Sequence, residues 1–163
     1  MDKQPKASAR TVTTLPRVPR VIFHTTMRSL ALTRLRATLS PLAQAAGLRL
    51  VVLFGSAARG ESGRAPEDLD LGVLPMGPFD PVAFTNAAIQ RLRSQAVDVT
   101  DLRYADPLLL MLVARDGVPV YEAPSGEFAR FASLAARRFA DTRKFRAAVR
   151  EEVADFVANR PVP

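Results

Sequence analysis

Residues 53–74 read LFGSAARGESGRAPEDLDLGVL. An apolar run ends in Gly55-Ser56, a polar loop with Gly60, Gly63 and Pro66 follows, and Asp68 and Asp70 then alternate with leucines. Alternation with a period of two marks a strand whose faces differ in character. Leu69, Leu71 and Val73 share the face fit to build a core, and Asp68 and Asp70 share the other. Side chains two apart on a strand emerge ~6.5–7 Å from one another on the same side. Two carboxylates held that close repel, so the pattern asks for a positive charge between them. A hard divalent cation such as Mg2+ meets that need, because it takes one or two carboxylates together with phosphates and water.

Immediately upstream, Leu48–Phe54 is mostly apolar, too short for a helix and flanked by Gly47 and Gly55, which predicts a buried strand. Gly55 at the end of that strand lets the backbone approach a phosphate closely, and the Ser56 hydroxyl adds a hydrogen-bonding group. Arg59 and Arg64 in the loop 55–67 are placed to neutralise phosphate charge. Downstream, Asp80-Pro81 opens a helix through Phe84, Ala88 and Leu92. Val97–Leu102 alternates again, with Val97 and Val99 on one face and Asp98 and Thr100 on the other. Were this strand a neighbour of the Asp-Leu-Asp strand, Asp68, Asp70 and Asp98 would converge. Three carboxylates suffice to hold two metal ions ~3.5–4 Å apart for in-line phosphoryl chemistry. Asp101, three residues after Asp98, falls on the opposite face.

Farther out, Leu32, Leu35, Leu39 and Leu42 recur at helical spacing within 25–46. Pro41 either kinks this helix or opens a second one capped by Ser40, and Gly47 closes it. Asp106-Pro107 begins a helix over 107–114, and Gly117–Tyr121 is a short strand. Phe128, Phe131, Ala135, Phe139, Thr142, Phe145, Val149, Val153 and Phe156 then form one stripe of a long C-terminal helix ended by Pro161. Its length exceeds what one face of a small domain needs, so part of it is available to a partner. Residues 1–24, with Pro5, Pro16 and Pro19 and scattered basic residues, read as a flexible basic tail before a domain over 25–160. Strands alternating with helices predict an α/β (α+β) fold, a small sheet packed against helices.

The 163 residues allow one domain with a real core, and 48% of them are apolar, which excludes global disorder. The absence of cysteine removes disulfides, thiolate metal sites and cysteine nucleophiles. That suits a reducing cytoplasm, and no apolar run approaches the ~20 residues of a membrane span, so a cytoplasmic protein is expected. The net charge of +7 comes mostly from arginine, the lysines being Lys3, Lys6 and Lys144. It favours anionic partners or reflects a coding bias towards arginine. No dense basic run with interleaved aromatics marks a nucleic-acid face, so direct nucleic-acid binding is not expected. His24, the single histidine, is far in sequence from the acids and reads as a surface residue.

Taken singly these features are ordinary: Gly-Ser is a common turn, Asp-x-Asp is commonly solvated surface, and Arg59 commonly pairs with a nearby glutamate. Their order is not ordinary. Gly55-Ser56, eleven residues, then Asp68-Leu69-Asp70, followed by Val97-Asp98-Val99, resembles the signature of the DNA polymerase β-like nucleotidyltransferase superfamily. The run Phe-Gly-Ser-Ala-Ala-Arg-Gly-Glu from Phe54 resembles its minimal nucleotidyltransferase (MNT) branch, with Glu67 as a departure where serine or aspartate often stands. The resemblance spans most of residues 28–157. It implies a nucleotidyltransferase fold with a small mixed sheet. Asp68, Asp70 and Asp98 are then metal ligands and catalytic residues for two Mg2+ ions, and Gly55, Ser56 and Arg59 bind the phosphates of ATP.

Proteins of this branch are often antitoxins of HEPN–MNT systems. The resemblance therefore implies transfer of AMP from ATP to a tyrosine of a partner HEPN ribonuclease toxin. The small chain favours an acceptor that a protein partner brings with it. Two other readings stay open: a small-molecule (aminoglycoside-type) nucleotidyltransferase, and a non-catalytic antitoxin that neutralises its partner by binding.

Overall fold

The computed structural model describes residues 20–59, 68–94 and 96–159, with side chains from residue 31 onward. The elements are α1 (Arg20–Ala45), β1 (Leu48–Phe54), α2 (Gly55–Arg59), β2 (Leu69–Pro75), α3 (Pro81–Leu92), β3 (Val97–Asp101), α4 (Pro107–Asp116), β4 (Val118–Glu122), α5 (Glu127–Asp141) and α6 (Arg143–Ala158). The four strands form one mixed sheet in the order β3-β2-β1-β4. β1 is antiparallel to both of its neighbours, while β2 and β3 are parallel and joined through α3. Pro119, which has no N–H to give, lies on the edge strand β4, where a missing donor is tolerated.

Helices cover both faces of the sheet. On one, Leu35, Leu39 and Ala43 of α1 and Phe84 and Ala88 of α3 pack on Val51, Leu53, Leu71 and Val73. On the other, Leu110 and Val113 of α4 and Phe131 and Ala135 of α5 pack on Leu50, Val52 and Leu74. β1 is buried on both sides, which is why its sequence is a continuous apolar run. The face of β2 that begins with the aspartates is polar only at its start. Leu102 lies over Gly72, where a Cβ would come within 3.0 Å of both its methyl groups, and Leu74 joins the second core. The two faces of β2 therefore carry two cores, and the acids occupy the open end of one.

Local chemistry explains three helix ends. Asp80 caps α3 by accepting from the Val82 and Ala83 N–H groups, each at 3.0 Å. Asp106 does the same for α4, from Leu108 at 2.8 Å and Leu109 at 3.0 Å. Gly47, at a φ of +64°, closes α1 with its N–H donating to the Gln44 carbonyl.

Four expectations change. α1 starts at Arg20, so the tail boundary drawn at residue 24 falls inside this helix, while 1–19 lie outside the described residues. No proline stands between Pro19 and Pro41 to stop it. α1 runs on through Pro41 without a second start, and Ser40 is not a cap, because its hydroxyl donates to the Arg36 carbonyl at 2.7 Å. Residues 55–59 of the expected loop form the single turn α2, and 60–67, including Arg64 and Glu67, lie outside the described residues. The long C-terminal helix is two helices divided at Thr142, whose hydroxyl donates to the Phe139 carbonyl at 3.1 Å. Arg146 of α6 folds back across this break, its guanidinium 3.6 Å from the centre of the Phe139 ring.

Candidate active site

The site lies where β1 turns into α2, beside the starts of β2 and β3. β1 is central and buried, so its end is rigid, and the chain leaves it through Gly55 at a φ of +69°. That conformation brings the Gly55 backbone against the Asp70 carboxylate, so closely that a Cβ there would overlap Asp70 Oδ2. Ser56 follows in the first turn of α2, half-buried, and Arg59 ends that turn, exposed.

The parallel pairing of β2 and β3 places Asp70 and Asp98 as register partners. Asp68 immediately precedes β2 and is exposed, like Asp98, whereas Asp70 is half-buried. Burial raises the pKa of Asp70 from its ordinary 3.8, and the charges of Asp98 and then Asp68 push it the same way. The Arg59 guanidinium opposes them. The charges of Asp68, Asp98 and Arg59 all act on Asp70, which gathers the three around it. Asp101, set aside on strand alternation, is taken up elsewhere: both its carboxylate oxygens accept from the Arg103 Nε at 3.1 Å.

One residue of this neighbourhood had no assigned part in the sequence reading. Asp116 ends α4, and its carboxyl is held below the ordinary value first by the hydrogen bond from Arg115 and also by the charge of Arg59. Arg59 therefore acts electrostatically on both Asp70 and Asp116. The Asp116-Gly117 turn after α4 was the available signal. Gly117 lets β4 start tight against β1, since a Cβ there would overlap the Val113 carbonyl and the Val52 side chain.

Among the described residues, no group of three or more carboxylate or histidine side chains forms a ready metal cage. The donor set still fits a hard cation. Asp70 carries a charge that its surroundings disfavour and that two neighbouring carboxylates make worse. Mg2+ needs only one or two carboxylates when phosphates and waters complete its shell. A cavity of about 210 Å3 lies elsewhere, lined by Arg49, Arg103, Glu127, Arg130 and Arg138 over Leu74 and Phe131.

No family model matches the chain. Solved structures define the class of fold. A toxin–antitoxin crystal structure with AMP-PNP superimposes with a TM-score of 0.64 at 24% identity, over 73% of this chain and 98% of that one. A complex of the tri-AMPylated Shewanella oneidensis HEPN toxin with its MNT antitoxin gives a TM-score of 0.56 at 22% identity, over 80% and 98%. The architecture is the nucleotidyltransferase fold of these assemblies. A named relative is the Protein adenylyltransferase MntA of Aphanizomenon flos-aquae (strain 2012/KM1/D3), 32% identical over 97 residues. That similarity covers 52% of this chain and 63% of the relative, so it spans less than two thirds of the relative's length. No helix among the described residues is long and apolar enough to cross a membrane.

Proposed function

We propose that the chain transfers AMP from ATP to a protein hydroxyl, a tyrosine of a HEPN-type ribonuclease, and thereby acts as an antitoxin. The observation that carries this reading is the register of Asp70 with Asp98 across β2 and β3, with Gly55 pressed against Asp70. The similarity to an adenylyltransferase, and the fold shared with a chain crystallised with AMP-PNP, support ATP as the donor.

In this reading Gly55 and Ser56 receive the phosphates at the end of β1, and Arg59 offsets their charge. Asp68 and Asp70 hold a divalent cation, with Asp98 completing the carboxylate set. Bound there, the cation supplies charge neutralisation to the triphosphate. The acceptor oxygen attacks the α-phosphorus, the bond to the β-phosphate oxygen breaks, and pyrophosphate leaves. Asp98, the exposed carboxylate on the edge strand, takes the hydroxyl proton. Positioning accounts for most of the chemistry, because attacking and leaving oxygens must stand in line.

The test is to incubate the chain, a HEPN partner, Mg2+ and ATP labelled at the α-phosphate. Label should appear on a partner tyrosine, and Asp68→Ala and Asp70→Ala should each reduce it by ~10^3-fold or more. Undiminished labelling by both variants would remove these acids from the site. Wild-type labelling of aminoglycosides in place of the protein would change the acceptor.

A further inference from the structure

α6 contributes no buried side chain to the fold. Its apolar residues are nevertheless those of a packed helix: Phe145 is 71% exposed, Phe156 70% and Val153 56%, with Val149 and Val157 beside them. They lie along one stripe, and Phe145, Val149 and Val153 line a shallow groove with Arg146 and Arg150. A continuous apolar stripe of this kind on a soluble surface marks an interaction site.

The charges of the helix say what covers it. Arg143, Lys144, Arg146 and Arg150 occupy its first half, and Glu151, Glu152 and Asp155 its second. No acid stands in the first turn and no base in the last. This is the reverse of what the helix dipole favours, since its positive N-terminal end prefers acids and its negative C-terminal end prefers bases. No side chain caps the N-terminus to compensate. The arrangement is unfavourable for an isolated helix and favourable for one laid against its own reversed copy. There the acidic half of each helix lies beside the basic half of the other, and the two dipoles oppose.

We infer that the outer face of α6 is covered by a second copy of this chain, the two α6 helices packing antiparallel. Phe145 of each copy then lies opposite Phe156 of the other, and Lys144 comes near Asp155 of the other copy. Val149 and Val153 pack close to the two-fold axis. Two helices of 16 residues, about 24 Å long, bury less than the ~800 Å2 per partner of a standard interface. The dimer is therefore concentration-dependent, with dissociation in the micromolar range. This inference is independent of the proposed transfer chemistry.

The test is sedimentation of the full chain across a concentration series. A monomer–dimer equilibrium is expected, with Phe145→Asp raising the dissociation constant at least tenfold. At concentrations low enough for both chains to be monomeric, far-UV circular dichroism and the melting temperature should match the wild type, since α6 buries nothing of the fold. The charge-reversed Glu151→Lys/Asp155→Lys chain should also dissociate more readily. The natural chain has no cysteine, so orientation can be read with single thiols. A bis-maleimide of ~8 Å should join Phe145→Cys to Phe156→Cys chains in a mixture and join neither to itself, because like positions stand ~16 Å apart. A chain monomeric at all concentrations, or a dimer indifferent to Phe145→Asp, overturns the inference. Self-linking of Phe145→Cys overturns the orientation. A monomer whose complex with the acceptor protein is lost on Phe145→Asp assigns the surface to that partner instead.

Discussion

Gly55 and Asp70 meet backbone to carboxylate at the point where β1 becomes α2, with no room for a methyl group between them. Gly55 also holds a left-handed φ of +69°. Gly55→Ala thus forces two adjustments: a strained backbone costing about 1–2 kcal/mol, and a displaced Asp70. A shift of about 1 Å in a positioned group can cost ~10^2 in rate. The variant should lose at least that factor in labelling while keeping its far-UV circular dichroism. Near-normal activity would show that the contact is not needed for catalysis.

Asp70 should also set a pH signature in stability. Its folded pKa lies above the ordinary 3.8, so the native state holds the proton more tightly than the unfolded chain does. The associated stability is fully present below pH ~3.8 and is lost as pH rises through the raised native value. At pH 7 without metal, Asp70→Asn should therefore melt higher than the wild type. The difference should vanish at acid pH. Millimolar Mg2+ should raise the melting temperature of the wild type and leave the variant unmoved. Calorimetry in EDTA and in Mg2+ reads both effects.

The polar start of β2 is sealed off by Leu102 lying over Gly72. Gly72→Val should overpack this point and cost about 1–3 kcal/mol. Leu102→Ala, at a nearly fully buried position, should cost about 2–5 kcal/mol through the cavity it leaves. Urea titrations of the two variants and their combination should show strong non-additivity, because the residues touch.

Glu127 is the buried acid among the described residues, and it pairs with Arg49 of β1 at 3.0 Å and with Arg130 of its own helix at 2.9 Å. Both arginines keep access to water, so they can resolvate when the acid is removed. Glu127→Gln should then cost about 1–2 kcal/mol, below the 3–5 kcal/mol of a fully buried pair. A double-mutant cycle with Arg49→Met should give a coupling of ~1 kcal/mol. A coupling near zero would show that the bridge from α5 to the sheet is dispensable.

Much of the fold was legible because it rests on local signals. The apolar run Leu48–Phe54, the Asp-Leu-Asp alternation, and the Asp-Pro pairs at 80–81 and 106–107 each specify a conformation through neighbours a few residues away. Two features escaped, one of them local and the other set by distant packing. The stripe from Phe128 to Phe156 is continuous in sequence, and nothing in its periodicity reveals that the chain breaks at Thr142. Alternation in β2 likewise says which residues share a face, while Leu102, more than twenty residues on, decides that this face becomes a core beyond Asp70.

The sequence by itself determined the chemistry on offer: two carboxylates on one strand face, a glycine and a serine at a strand end, and a third acid on a later strand. Only the tertiary structure decided that these belong together. β3 pairs with β2 and not with β1, in a parallel register that sets Asp98 beside Asp70, and the turn at Gly55 carries α2 against the same carboxylate. Strand order and register depend on how two cores and four helices are accommodated around one sheet. That is a property of long-range packing, which no local pattern of residues encodes.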